Sequence, residues 1–196
     1  MKEKQRLSKE QRRQQILETA QKVFIENGYN GSTTLEIAKA AQISEVTLFR
    51  YFTSKQEIFL EVIEPILFNT FEQTIVASKN KSLEDKLIYI LTERIKFVSR
   101  NYEILQLILM EKTLLKKLGK DDFIMRFWDL FAEILVEFNF SKEIIDFTVR
   151  YFMGSMLSYL FRPETNEESI KCYVKQNIHL LINQIKGGDV KIEQNI

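Results

Sequence analysis

Apolar residues recur at three- and four-residue spacing through most of the chain, the period of helices packed on one side. Near the start, Ile16, Leu17, Ala20, Val23 and Phe24 mark one amphipathic helix. Ser8 with Gln11 resembles a capping box at its beginning, and Asn27-Gly28 supplies a stop. Thr33 and Glu36 form a second box, opening a short helix through Ile37, Ala38 and Ala41. Ser44 caps a third helix, with Ile43, Leu48 and Phe52 facing inward. Ser54 and Glu57 make a further box, and Ile58, Phe59, Val62 and Ile63 give a fourth helix its apolar stripe. Two short helices joined by a brief turn describe a helix-turn-helix unit.

The same period continues beyond. The fourth helix is expected to run into the upper 70s, kinked at Pro65, where a backbone donor is missing. Ser82 opens a helix through Leu87, Ile90, Leu91, Ile95 and Val98. Others are expected over residues 102–118, 121–138 and 141–161, the last ended by Arg162-Pro163. A final helix, 166–186, is closed by Gly187-Gly188. The expected fold is all-α with about nine helices: a three-helix N-terminal domain over 1–54, then a helical bundle over 55–196.

Composition supports this picture and removes several functions. The chain has 196 residues, with two prolines and six glycines, which favours long helices over turn-rich sheet. No run of about 18 apolar residues spans a membrane, and the charged N-terminus lacks an apolar signal core, so no membrane partner is expected. The lone Cys172 and lone His179 leave no basis for a metal site or for Ser-His or Cys-His catalysis. The expectation is a cytoplasmic protein, not an enzyme, with no cofactor.

Net charge is +1, but residues 1–60 hold ten Lys/Arg against seven Asp/Glu. Six of those basic residues (Lys2, Lys4, Arg6, Lys9, Arg12, Arg13) fall in the first 13 positions. Such an arm suits a polyanion. With Leu48 and Phe52 turned inward, Glu45, Val46, Thr47, Phe49, Arg50 and Tyr51 are left on the outer face and edges of the third helix. That face fits the major groove of B-DNA. Thr47 and Tyr51 can donate to phosphate oxygens, Arg50 can read guanine or hold the backbone, and Lys55 can grip a phosphate beside free backbone N–H groups. A small hairpin whose polar side merely faces water has the same spacing.

The stretch ILETAQKVFIENGYNGSTTLEIAKAAQISEVTLFRYFTSKQEIF resembles the DNA-binding domain of the TetR/AcrR family of bacterial transcriptional regulators. The likeness rests on the ILxxAxxxF opening, Gly28-Tyr29, Thr33-Thr34, Ile37-Ala38 and the run from Thr47 to Glu57. It implies a nucleoid-associated homodimer on a palindromic operator, with residues 44–51 as recognition helix. The implied DNA-contacting set is Thr33, Thr34, Ser44, Glu45, Val46, Thr47, Phe49, Arg50, Tyr51 and Lys55. Two residues depart from the family pattern. Gln42 stands where glycine is usual, so its backbone is either ordinary or left-handed at a cost. Phe49 stands where tyrosine is frequent, exchanging a hydroxyl for an apolar contact.

The resemblance also implies an effector cavity in the bundle. Arg94, Phe97, Met110, Phe127, Trp128, Phe131, Phe152, Met153 and Met156 are the candidate lining, with Glu103 or Glu111 as alternative polar anchors. The effector would be hydrophobic, such as a fatty acyl compound or a lipophilic drug. An ordinary apolar core accounts for the same residues. Tyr151, Tyr159, Tyr173, Ile178 and His179 on the last two helices are the candidate dimer interface. The implied function is a sequence-specific regulator, expected to be a repressor released by its effector. The alternative is a related DNA-binding protein controlled by a protein partner.

Overall fold

The computed structural model describes residues 7–66, 70–119 and 123–187, and their regular structure is helical throughout. In chain order the helices are α1 (Lys9–Gly31), α2 (Thr34–Ala40), α3 (Glu45–Leu48), α4 (Lys55–Glu64), α5 (Thr70–Ser78) and α6 (Leu83–Arg100). They continue with α7 (Tyr102–Met110), α8 (Lys112–Lys117), α9 (Phe123–Val136), α10 (Lys142–Phe161) and α11 (Glu167–Gly187). Of the basic arm, Lys2, Lys4 and Arg6 lie outside the described residues, as do residues 121–122 and Gly188.

The helix starts follow local chemistry. Ser8 and Gln11 cap each other reciprocally, as do Thr33 and Glu36. Ser44, Ser54, Ser82 and Ser141 each accept a first-turn N–H. α4 ends at Glu64 with Pro65 as its C-cap, and α5 begins at Thr70 beyond residues that lie outside the described ones. The 102–118 helix breaks at Glu111, whose ψ of 24° departs from helical values.

The chain forms two compact units, residues 1–69 with 106–120, and residues 70–105 with 121–196. In the first unit α1 packs on α2 and α4, and α2 packs on α3. Ile16, Phe24, Ile37, Leu48, Phe52, Ile58, Phe59 and Ile63 are essentially solvent-free there. The rings of Phe24 and Tyr29 both close on Phe59, with centroids 5.2 and 5.0 Å away. By packing, then, α4 belongs with α1. In the second unit α6 lies against α5, α10 and α11, and α9 packs on α5 and α10. Leu87, Ile90, Leu91, Ile95, Val149, Val174 and Ile178 form its dry centre.

Two backbone positions set the geometry of the first unit. Gly28 takes φ 70°, ψ 169° inside α1, a conformation open in practice to glycine alone, so the expected stop is a kink after which the chain turns once more to Gly31. Gln42 has φ 56°. Its N–H reaches Lys39 O at 3.0 Å and the Ile43 N–H reaches Ala38 O at 3.0 Å, the paired closure that usually recruits glycine. Gln42 therefore takes the left-handed form, with its side chain exposed.

These two positions are expected to respond with opposite sign in urea unfolding. Gly28→Ala should cost about 1–3 kcal/mol. Gln42→Gly should gain up to about 1 kcal/mol, left-handed strain being partly offset by chain entropy. Equal effects of the same sign would contradict the assigned backbone.

Candidate nucleic-acid interface

The outer surface of the first unit is built around α3, a single turn. Ser44 Oγ accepts the Thr47 N–H at 3.1 Å. After Leu48 the coil tightens: Arg50 N–H donates to Thr47 O at 3.1 Å and Tyr51 N–H to Leu48 O at 2.9 Å. The expected eight-residue recognition helix is thus one α-turn followed by one tighter turn. Leu48 and Phe52 anchor it from below at 0% and 1% exposure.

This anchoring leaves a mixed outer face. Val46 is 69% and Phe49 48% exposed. Arg50 is exposed, and its side chain makes no hydrogen bond or ion pair among the described residues. Other candidates are held by neighbours. Thr34 Oγ1 donates to Glu45 Oε1 at 2.6 Å, fixing that carboxylate across the α2–α3 angle. The Thr47 and Ser44 hydroxyls share a hydrogen bond of 2.8 Å. Thr33 is engaged by Glu36, which accepts from its N–H at 2.8 Å and its hydroxyl at 2.9 Å. Tyr51 is half-buried at the edge. Val46, Phe49 and Arg50 remain as the unoccupied centre.

Lys55 is directed inward. Its Nζ donates to Tyr29 O at 2.8 Å and Ser32 O at 2.7 Å, and lies 4.2 Å from the centre of the Tyr29 ring. The expected phosphate grip meets an ammonium already bound to the end of α1. Arg13, counted with the basic arm, is half-buried and likewise engaged by the protein itself: it pairs in bidentate fashion with Glu61 and lies 4.5 Å over the Phe52 ring. It joins α1, α4 and the end of the α3 segment. Sequence reasoning missed that role, although the spacing Arg13–Ile16 already placed its side chain on the inward side of α1. The Thr53 hydroxyl and N–H hold the Glu57 carboxyl below the usual carboxylate range, so that local brace weakens only as pH falls through that lowered value.

The candidates in the second unit divide between core and surface. The Phe71 ring stacks on Phe127 at 4.2 Å and lies 6.5 Å from Phe131, which meets Phe152 at 4.5 Å. Met156 is buried, and Met153 and Trp128 are half-buried, the latter under Arg150 at 5.1 Å. Arg94 is 6% exposed, donates to Thr74 Oγ1 at 3.2 Å and lies over the Phe97 and Phe71 rings at 4.8 and 5.5 Å. Burial pushes its guanidinium down to about 10. Met110 departs from the expected lining: it is 80% exposed and belongs to the first unit, because the break at Glu111 turns it outward.

Of the expected dimer residues, Ile178 is wholly buried in its own unit, as part of the core that α11 shares with α6. Tyr151 donates to Asn177 Oδ1 at 2.5 Å, Tyr159 meets Tyr173 edge-on at 5.5 Å, and His179 is exposed beside Asn183 at 3.0 Å. Burial and Tyr173 push the Tyr159 phenol up to about 12. Phe147, Leu157, Phe161 and Leu180 supply the exposed apolar surface of α10 and α11 instead.

Residues 16–62 match the tetR family of bacterial regulatory proteins. The HTH-type transcriptional regulator HbdR of Aromatoleum sp. (strain CIB) is 39% identical over 66 residues, which make up 34% of this chain and 28% of that protein. The match therefore spans less than a third of this relative. Over nearly the whole chain, the transcriptional regulator FadR from Bacillus subtilis, solved with stearoyl-CoA, superposes with a TM-score of 0.67 at 17% identity, covering 88% of this chain and 98% of that one. AibR, solved with isovaleryl coenzyme A and operator DNA, superposes at 0.66 and 19% identity, covering 84% and 97%. Both share the fold.

Removing the Lys55 ammonium should register in stability before any ligand is added. Lys55→Met is expected to lower unfolding free energy in urea by about 1.5 kcal/mol, the scale of a charge-assisted hydrogen bond. An unchanged midpoint would show that the ammonium does not hold the two carbonyls in solution.

Proposed function

We propose, for a chain that belongs to the TetR/AcrR family of transcriptional regulators, that a homodimer lays residues 44–51 of each subunit in successive major grooves of a palindromic operator. The carrying observation is that the Val46, Phe49 and Arg50 side chains are exposed, with no polar partner for Arg50 among the described residues, while Leu48 and Phe52 are buried. Arg50 provides a bidentate donor for guanine or phosphate, and Val46 and Phe49 suit thymine methyl groups. Thr47 and Tyr51 flank this centre at the phosphates. Thr34 presents Glu45 in a set orientation, where its remaining oxygen can accept from a cytosine amino group. The two segments would sit about 34–36 Å apart, one turn of DNA. The exposed Phe147, Leu157, Phe161 and Leu180, with Tyr151, Tyr159 and Tyr173 beside them, form the proposed dimer face on α10 and α11.

The regulatory reading is a repressor released by an acyl thioester or related anionic lipid. FadR was solved with stearoyl-CoA and AibR with isovaleryl coenzyme A. In this chain the aromatic run from Phe127 to Phe152 offers an apolar wall for an acyl chain, with Met153 and Met156 able to repack around it. Arg94 supplies a positive charge in the same region. A near-complete switch requires the effector to favour the released form by roughly 5.5 kcal/mol.

Fluorescence anisotropy with a duplex from upstream of the protein's own gene tests both parts. Binding should weaken as salt rises, Arg50→Ala should cost about tenfold or more, and micromolar stearoyl-CoA should release the duplex. Salt-insensitive or absent binding would refute the DNA reading. Intact binding untouched by acyl-CoA of any length would refute the effector alone.

A further inference from the structure

We propose that Glu111 is a positioning residue for operator binding, a role that rests on the DNA-binding reading above. Glu111 occupies the break between α7 and α8 as the N-cap residue of α8, but its side chain makes no capping hydrogen bond to that helix. Its carboxylate is instead directed to α1, where Oε1 accepts the Tyr29 N–H at 3.2 Å, across 82 positions of sequence. Tyr29 directly follows the kinked Gly28, whose missing Cβ would lie 3.9 Å from that same Oε1. The kink thus exposes one backbone N–H of α1, and Glu111 takes it.

The other side of Tyr29 is also held. Its carbonyl and that of Ser32 receive the Lys55 ammonium. Ser32 is 1% exposed, and its hydroxyl donates to Gly28 O at 2.7 Å and Val23 O at 3.2 Å. The next residue, Thr33, is the N-cap of α2, and α2 carries the Thr34 hydroxyl that orients Glu45. Hydrogen bonds from Glu111 and Lys55 therefore hold the Gly28–Ser32 bend, the covalent chain carries on from Ser32 to Thr34, and the Thr34 hydroxyl reaches Glu45 at the start of α3. Loss of the Glu111 end frees the bend, and the start of α2 loses its fixed origin.

The sign of the effect separates this role from plain electrostatics. Glu111 is an anion in a unit proposed to meet phosphates, so removing its charge would by itself tighten DNA binding. Positioning predicts the reverse. In anisotropy titrations of the full-length protein with the upstream duplex, Glu111→Ala should weaken binding by about five- to tenfold, the scale of one ordinary hydrogen bond. Glu111→Gln keeps an oxygen at the same reach and should stay within about twofold of the parent. Glu111→Asp keeps the charge but shortens the reach, and should resemble alanine. Tyr29 amide exchange should accelerate in the alanine and aspartate variants and remain slow in the glutamine variant, a readout independent of DNA. If the alanine variant does not fold, the glutamine and aspartate pair decides. The inference is overturned if the parent binds DNA and aspartate matches it, if glutamine is as weak as alanine or aspartate, or if alanine binds tighter. A parent that binds no duplex refutes the DNA reading instead, and exchange at Tyr29 still reports on the bond.

Discussion

A helix of one turn has no stability of its own, because nucleation fixes several residues for a single backbone hydrogen bond. The proposed reading face therefore exists only through what lies beneath and beside it. Leu48 and Phe52 are sealed in the first unit's core. Ser44 caps the front of the turn and the Arg13–Phe52 contact closes the back. Once these are in place, the remaining side chains have no direction but outward. Val46, Phe49 and Arg50 are left exposed on this short segment.

The supports are mostly backbone contacts. Gly28 bends α1, and the groups released by the bend are taken by Glu111 and Lys55. Gln42 accepts left-handed strain so that α2 can close and α3 begin at the right angle. Neither device buries much apolar area. Both fix direction, and direction is what a helix must keep when it is matched to a groove of set width. The second unit has a different character: its rings meet one another from Phe127 through Phe71 and Phe131 to Phe152, and the buried charge of Arg94 is accommodated by aromatic faces and a threonine hydroxyl.

Much of the fold was legible because its signals are local. Capping needs residues three apart, so Ser8 with Gln11 and Thr33 with Glu36 announce helix starts without reference to the rest of the chain. The left-handed Gln42 was legible as one of two options, because a non-glycine residue in a glycine turn leaves few choices. What depends on distant partners was hidden. Lys55 opens a helix, which suggests a phosphate; only the fold shows two carbonyls from α1 within its reach. Met110 reads as an effector-facing residue until the break at Glu111 turns it outward. Ile178 and Tyr173 lie on one helix with similar apolar character, yet the first is wholly buried and the second only half-buried. The resemblance to regulators was carried by the first unit, where motif and packing coincide.

The central claim is that residues 44–51 face nucleic acid, and hydrogen–deuterium exchange of the intact protein with and without the upstream duplex tests it most directly. The account predicts that peptides covering Thr33 to Lys55 gain protection on binding, most strongly around Val46 to Arg50, while α6 is unchanged. Protection concentrated on α10 and α11, with the α3 segment exchanging as in the free protein, would contradict it.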